Sequence, residues 1–72
     1  MTTLADLAKG QSAVVKEIEG ADELAIRLLE MGLTPGAMVK MLGAAPLGDP
    51  LELEVRGYRL SLRKAEARRV RV

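Results

Sequence analysis

Between Leu51 and Arg63 the chain alternates apolar and polar residues almost without interruption. Leu51, Leu53 and Val55 hold one phase, and Glu52, Glu54 and Arg56 hold the other. After Gly57 the pattern resumes, with Tyr58, Leu60 and Leu62 against Arg59, Ser61 and Arg63. A period of two is the mark of a strand with one face in a core, and a glycine link between two such runs predicts a hairpin. An isolated hairpin is marginal in water, so the other segments must cover its apolar face. With 72 residues there is room for one domain, 1–72, and little apolar surface to waste.

The segments that cover it are short. Thr2 to Ala8 reads as a helical turn capped by Thr3, with Leu4 and Leu7 on one face and Lys9-Gly10 ending it. Gln11 to Glu19 reads as a strand in which Ala13 and Val15 alternate but the next apolar residue is Ile18. That slip predicts a bulge near Lys16 and Glu17. Asp22 to Met31 reads as the one α-helix, with Asp22 as its N-cap and Leu24, Leu28 and Met31 on one face. Glu23, Arg27 and Glu30 form the opposite stripe, spaced for ion pairing along the helix. Gly32 stands where a left-handed C-cap belongs, Leu33 is its apolar partner, and Thr34-Pro35-Gly36 is a turn.

Ala37 to Gly43 is a further strand with Val39 and Met41 inward, and residues 44–50 form a loop by their Pro and Gly content. Tyr58 falls on the inward phase of its strand. Lys64 to Ala67 allows one helical turn, and the chain ends in a strand with Val70 and Val72 inward. The expected fold is mainly β: a small barrel of about five strands, one inserted α-helix and short helical turns. Closure removes the exposed edges that an open sheet of this size would carry.

Composition narrows the chemistry. There is no His and no Cys, so the commonest general base, the thiolate nucleophile and the usual ligands of borderline metals are missing. No catalytic residue, metal ligand or cofactor site is assigned. Glu52 and Glu54 share a strand face, which is also what a solvated strand face looks like. The net charge of +1 conceals a split. Residues 1–54 carry four bases against nine acids, and residues 55–72 carry seven bases against Glu66. The basic candidates Arg56, Arg59, Arg63, Arg69 and Arg71 could neutralise phosphates. They alternate with apolar residues, however, and one aromatic gives no stacking platform, so nucleic acid is disfavoured. The plainer reading of the split is attraction between the two halves of one fold.

What remains is contact with another protein. Ile26 and Leu29 lie off the main apolar stripe of the helix, with Arg27 beside them. Leu42 is out of phase with Val39 and Met41, and Leu47 sits at the tip of a loop. These residues are the candidate contact set, on helix 22–31 and loop 44–50, and a second copy of the chain could use the same surface. No apolar run approaches the roughly 20 residues of a membrane span, and no basic-then-apolar leader follows Met1. A cytoplasmic chain is expected.

The run Arg27-Leu28-Leu29-Glu30-Met31-Gly32-Leu33-Thr34-Pro35-Gly36 resembles the hallmark of the FeoA family. Leu4-Ala5-Asp6-Leu7-Ala8-Lys9-Gly10 is similar to that family's opening. So are Gly48-Asp49-Pro50, Leu60-Ser61-Leu62-Arg63 and the terminal Val70-Arg71-Val72. Ile26 departs from the pattern, standing where the family often has a polar residue. The resemblance implies an SH3-like barrel and an accessory role in bacterial ferrous iron uptake. It implies a partner of the FeoB type, a membrane transporter with a cytosolic GTPase domain, which would hold the chain peripherally at the inner membrane. It leaves one alternative, the SH3-like regulatory domain of DtxR-type metal-dependent repressors. Direct carriage of iron is disfavoured by the missing His and Cys.

Overall fold

The computed structural model describes residues 2–72. Its centre is the expected hairpin, β4 (Leu51–Val55) and β5 (Tyr58–Leu62), here numbered after three strands that precede it. Leu51 pairs with Leu62, Leu53 with Leu60 and Val55 with Tyr58. The two linking residues, Arg56 and Gly57, both have positive φ, 50° and 84°. That is the backbone of a two-residue hairpin turn whose twist matches the strands. Leu51, Leu53 and Val55 are buried, as their alternation requires.

β3 (Met38–Ala44) lies on the other side of β4, and β1 (Ser12–Val14) lies beyond β3, giving a sheet of order β1-β3-β4-β5. Val39 pairs with Val55 and Met41 with Leu53, so four apolar residues meet across the two strands. Between Met41 and Gly43 the register shifts, and Leu42 is the extra residue of a bulge. The bulge accounts for its phase in the sequence.

The stretch expected as one bulged strand, Gln11 to Glu19, is instead two strands in two sheets. The Val15 N–H donates to the Ala37 carbonyl at 2.9 Å, on the β3 side. One residue later the Lys16 N–H donates to the Arg71 carbonyl at 2.7 Å. Thus β2 (Glu17–Ile18) pairs with β6 (Val70–Arg71), Glu17 opposite Arg71 and Ile18 opposite Val70. The slip at Lys16 and Glu17 marks a corner where the chain changes sheet, and the described residues hold six strands rather than about five. Thr3 bridges Arg71 from the other side, and the Val72 N–H donates to the Thr2 carbonyl at 3.0 Å. These bonds build the second sheet, β2-β6, and extend it by Thr3.

α1 (Glu23–Glu30) starts as the sequence predicts, with the Asp22 carboxylate accepting from the Ala25 N–H at 3.3 Å. It buries Ala25 and Leu28, with Leu24 and Met31 partly buried against the same core. Its end is a Schellman motif. The Leu33 N–H reaches the Leu28 carbonyl at 3.2 Å, the Gly32 N–H reaches that of Leu29 at 3.0 Å, and Gly32 has φ 98°. The ion pairs expected along the helix are not what Arg27 makes. It faces Glu66 at 3.9 Å, on the single turn α2 (Lys64–Ala67), because packing brings α2 close enough to compete. The opening turn is a 3-10 helix, Leu4–Asp6, with the Thr3 N–H donating to Asp6 Oδ2 at 2.8 Å.

The core is aliphatic. Leu4, Leu28, Leu33, Leu53 and Val55 are fully enclosed together with Val39 and Val70. Tyr58 is a correction to the inward assignment. It is 44% exposed, because its strand begins at the rim of the barrel, where a β-carbon on Gly32 would lie 2.7 Å from its hydroxyl.

Gly20 has φ 91°, and a β-carbon there would collide with the guanidinium of Arg69. Gly20→Ala is therefore expected to lower unfolding free energy by about 1–2 kcal/mol, from backbone strain plus displacement of Arg69. In an Arg69→Ala background the same substitution should cost less, since one of the two causes is gone. Urea unfolding of the four proteins reads this cycle, and equal costs in both backgrounds would refute the collision.

Candidate interaction surface

The barrel directs each candidate residue according to what the core leaves over. α1 leans on β2 with its Ala25–Leu28 side, so Ile26 and Leu29, one helical step apart, face outward at 53% and 39% exposure. Glu23, Arg27 and Glu30 lie exposed beside them. Leu47 is 97% exposed at the tip of the β3–β4 loop. That loop is internally tied, with the Gly48 N–H donating to the Ala45 carbonyl at 2.7 Å and the Ala45 N–H to that of Pro50 at 2.9 Å. Asp49 Oδ1 accepts the Lys64 N–H at 3.0 Å, which fixes the loop to the start of α2. Leu42 is half-buried in its bulge.

The contact candidates therefore occupy different elements: Ile26, Arg27 and Leu29 on α1, Leu47 on the loop beside α2, and Leu42 on the sheet. The sequence reading missed one exposed apolar pair. Val14 and Met38 face each other across β1 and β3 on the outer side of the sheet. The signal was available, since the alternation that turns Val39 inward turns Met38 outward.

The five basic candidates do not form one face. Arg69 donates from Nε to the Glu19 carbonyl at 2.9 Å and from Nη2 to Asp22 Oδ1 at 2.5 Å. Arg71 Nη1 stands 3.2 Å from Glu17 Oε1. Arg56 donates to Thr34 Oγ1 at 2.6 Å, which ties the hairpin turn to the turn after α1. Arg59 sits opposite Glu54 in the β4–β5 register, and Arg63 is exposed at the N-cap of α2. Three of the five guanidiniums thus bind within the fold. Both of the carboxylate partners, Glu17 and Asp22, come from the acidic first part of the chain, so the charge split includes attraction between its halves.

Among the described residues, no group of three Asp or Glu side chains stands close enough to hold a metal ion. Glu52, on the same strand face as Glu54, accepts a hydrogen bond from the Ser61 hydroxyl at 2.8 Å. The surface depressions are shallow and mixed in character. Chemically the surface offers exposed aliphatic side chains framed by single charges, an arrangement suited to binding by contact. No helix among the described residues is long and apolar enough to cross a membrane.

Similar proteins bear on this directly. The family model described as the FeoA domain matches residues 2–72. The Fe(2+) transport protein A/Fe(2+) transporter FeoB fusion protein of Porphyromonas gingivalis (strain ATCC BAA-308 / W83) is 35% identical over 69 residues. That match takes in 96% of this chain and 8% of the fusion protein's length. The crystal structure of Stenotrophomonas maltophilia FeoA complexed with zinc, described as a prokaryotic SH3 domain protein, is 38% identical and matches with a TM-score of 0.86. There the match covers 97% of this chain and 87% of that one. A manganese-dependent transcriptional repressor matches with a TM-score of 0.83 at 14% identity, over 96% of this chain and 39% of its own, a likeness of fold alone. The SH3-like architecture expected from the sequence is thus the architecture found.

The Asp22–Arg69 pair makes a pH prediction. The hydrogen bond from Arg69, with a further one from the Ala25 N–H, holds the Asp22 carboxyl below the ordinary carboxylate range. The unfolded chain then binds the proton more readily, so stability rises with pH through this window. The contribution is complete above the unfolded value, about 4, and is lost as pH falls through the lower folded value. Asp22→Asn keeps a capping side chain but removes this titration. Between pH values of about 5 and 2.5, wild-type stability should fall more steeply than that of the variant. Urea midpoints across that range test it; parallel curves would refute the linkage.

Proposed function

This chain belongs to the FeoA family, which is linked to ferrous iron transport, and from that premise we propose that it is a non-enzymatic accessory protein. It binds the cytosolic part of a FeoB-type transporter and modulates it through protein–protein contact. Ferrous iron is the transporter's cargo in this reading, and no residue of the chain is assigned to hold it.

The observation that carries the proposal is the Porphyromonas fusion protein, in which a segment like this one is continuous with the transporter. Covalent joining holds two modules at high effective concentration, and it is useful when they act at one place. The exposed Ile26–Leu29 pair on α1, framed by Glu23, Arg27 and Glu30, supplies a contact of the kind in which an amphipathic helix lies in a partner's groove. The same pair could serve contact between copies. A repressor-type regulatory role has fold likeness in its favour and no more.

Titration of the chain with the transporter's isolated cytosolic domain, with and without guanine nucleotide, tests the reading. Binding in the micromolar range is expected, with Ile26→Asp weakening it about tenfold or more through loss of buried aliphatic area. A variant with an unchanged circular dichroism spectrum and unchanged affinity would remove α1 from the contact. Absence of binding at tens of micromolar under both nucleotide conditions would refute the proposal.

A further inference from the structure

The β3–β4 loop presents a different surface. From Ala44 to Gly48 it reads Ala-Ala-Pro-Leu-Gly, without a charge, and both Pro46 and Leu47 are exposed. The loop's own hydrogen bonds and the Asp49–Lys64 bond brace it, so the leucine is held outward. Beside its base runs an open depression of about 320 Å³ whose lining includes Lys9, Gly43, Ala44, Gly48 and Lys64. The two lysines flank the loop. A β-carbon on Gly48 would sit 3.6 Å from Lys64 Nζ, and one on Gly43 would sit 3.9 Å from Lys9 Cε. Arg63 precedes Lys64 and is exposed. Asp49, the acid within the loop, lies at its base rather than its tip, where it accepts from the Lys64 backbone N–H and keeps its charge.

We propose that this loop is a lipid-contacting wedge: Leu47 enters the headgroup–acyl boundary of an anionic bilayer while Lys9 and Lys64 meet its phosphates. The alternation of an aliphatic tip with cationic flanks matches the order of layers in such an interface. Lysine suits the flank, because its stem lies along apolar surface while its ammonium stays in the polar layer. A protein partner is the weaker occupant. A stable interface needs about 800 Å² per side, arranged around an enclosed anchor. Leu47 stands on a narrow tip, whereas the apolar pair of α1 is on another element. The inference goes beyond the transporter reading and does not depend on it.

The probe is an equimolar phosphatidylcholine–phosphatidylglycerol vesicle, with pure phosphatidylcholine for comparison, in flotation with the whole chain. One leucine and two or three cations should give partitioning weaker than a single acyl chain, with half-saturation on the order of 1–10 mM lipid. Leu47→Asp should weaken it about tenfold or more, and Lys64→Glu about fivefold or more. Added salt should weaken the wild type. The chain has no tryptophan, so Leu47→Trp gives a clean emission that should shift to the blue with anionic vesicles. No partitioning at 10 mM lipid (roughly the upper bound above), or equal partitioning of Leu47→Asp, would overturn the proposal. So would vesicles left unbound while Leu47→Asp weakens binding to the soluble transporter domain, which would assign the tip to a protein pocket. The Ile26 titration reads the transporter contact separately, so failure of either reading is distinguishable from failure of the other.

Discussion

Backbone pairing around β6 is the constraint on which the rest of this barrel depends. Two residues, Val70 and Arg71, pair with β2 on one side, and Arg71 bridges Thr3 on the other. Without β6 the two residues of β2 would have no strand partner, and the 3-10 turn that carries Leu4 would lose its bridge to Arg71. The side chains around β6 reinforce the seam. Arg71 reaches Glu17, and Arg69 reaches both the Glu19 carbonyl and Asp22, so the start of α1 is fixed by the residue that leads into the last strand. An aliphatic core this small gains from such closure, because each residue it fails to bury is a large fraction of the total.

The parts of the fold that were legible in the sequence are those governed by local rules. The β4–β5 hairpin followed from a clean period of two and a glycine link. The end of α1 followed from Gly32 and Leu33, which the structure joins in a Schellman motif. The parts that were not legible depend on which strand lies across the gap. The slip at Lys16 and Glu17 was visible, but a bulge and a change of sheet leave the same trace in one strand. Only the partner distinguishes them, and here Val15 bonds to Ala37 while Lys16 bonds to Arg71. Tyr58 followed its phase and still emerged half-exposed, since phase gives the face of a strand and not its distance from the rim.

The candidate surface divides in the same way. Exposure of Ile26, Leu29 and Leu47 could be read from helical phase and loop composition, and the outward turn of Met38 could have been. The fate of the arginines could not, because a guanidinium sits at the end of a long flexible side chain, and its partner is set by topology. Arg69 lies 47 residues from Asp22 in sequence and bonds to it in space. A net charge near zero therefore describes this chain poorly: its surface field depends on which opposite charges meet, and Lys9, Arg63 and Lys64 lie beside a loop whose tip carries no charge.

The Val72 N–H and the Thr2 carbonyl are hydrogen-bonded, so the described ends of the chain lie side by side. Any polypeptide attached before or after this unit departs from the same corner of the barrel, and α1 keeps one orientation toward it in either order. Attachment on either side, or insertion into a longer protein, therefore requires no long linker to bring the two ends together. The short gap could also be sealed and the barrel reopened at an exposed loop, giving a permuted chain with the same pairing around its seam.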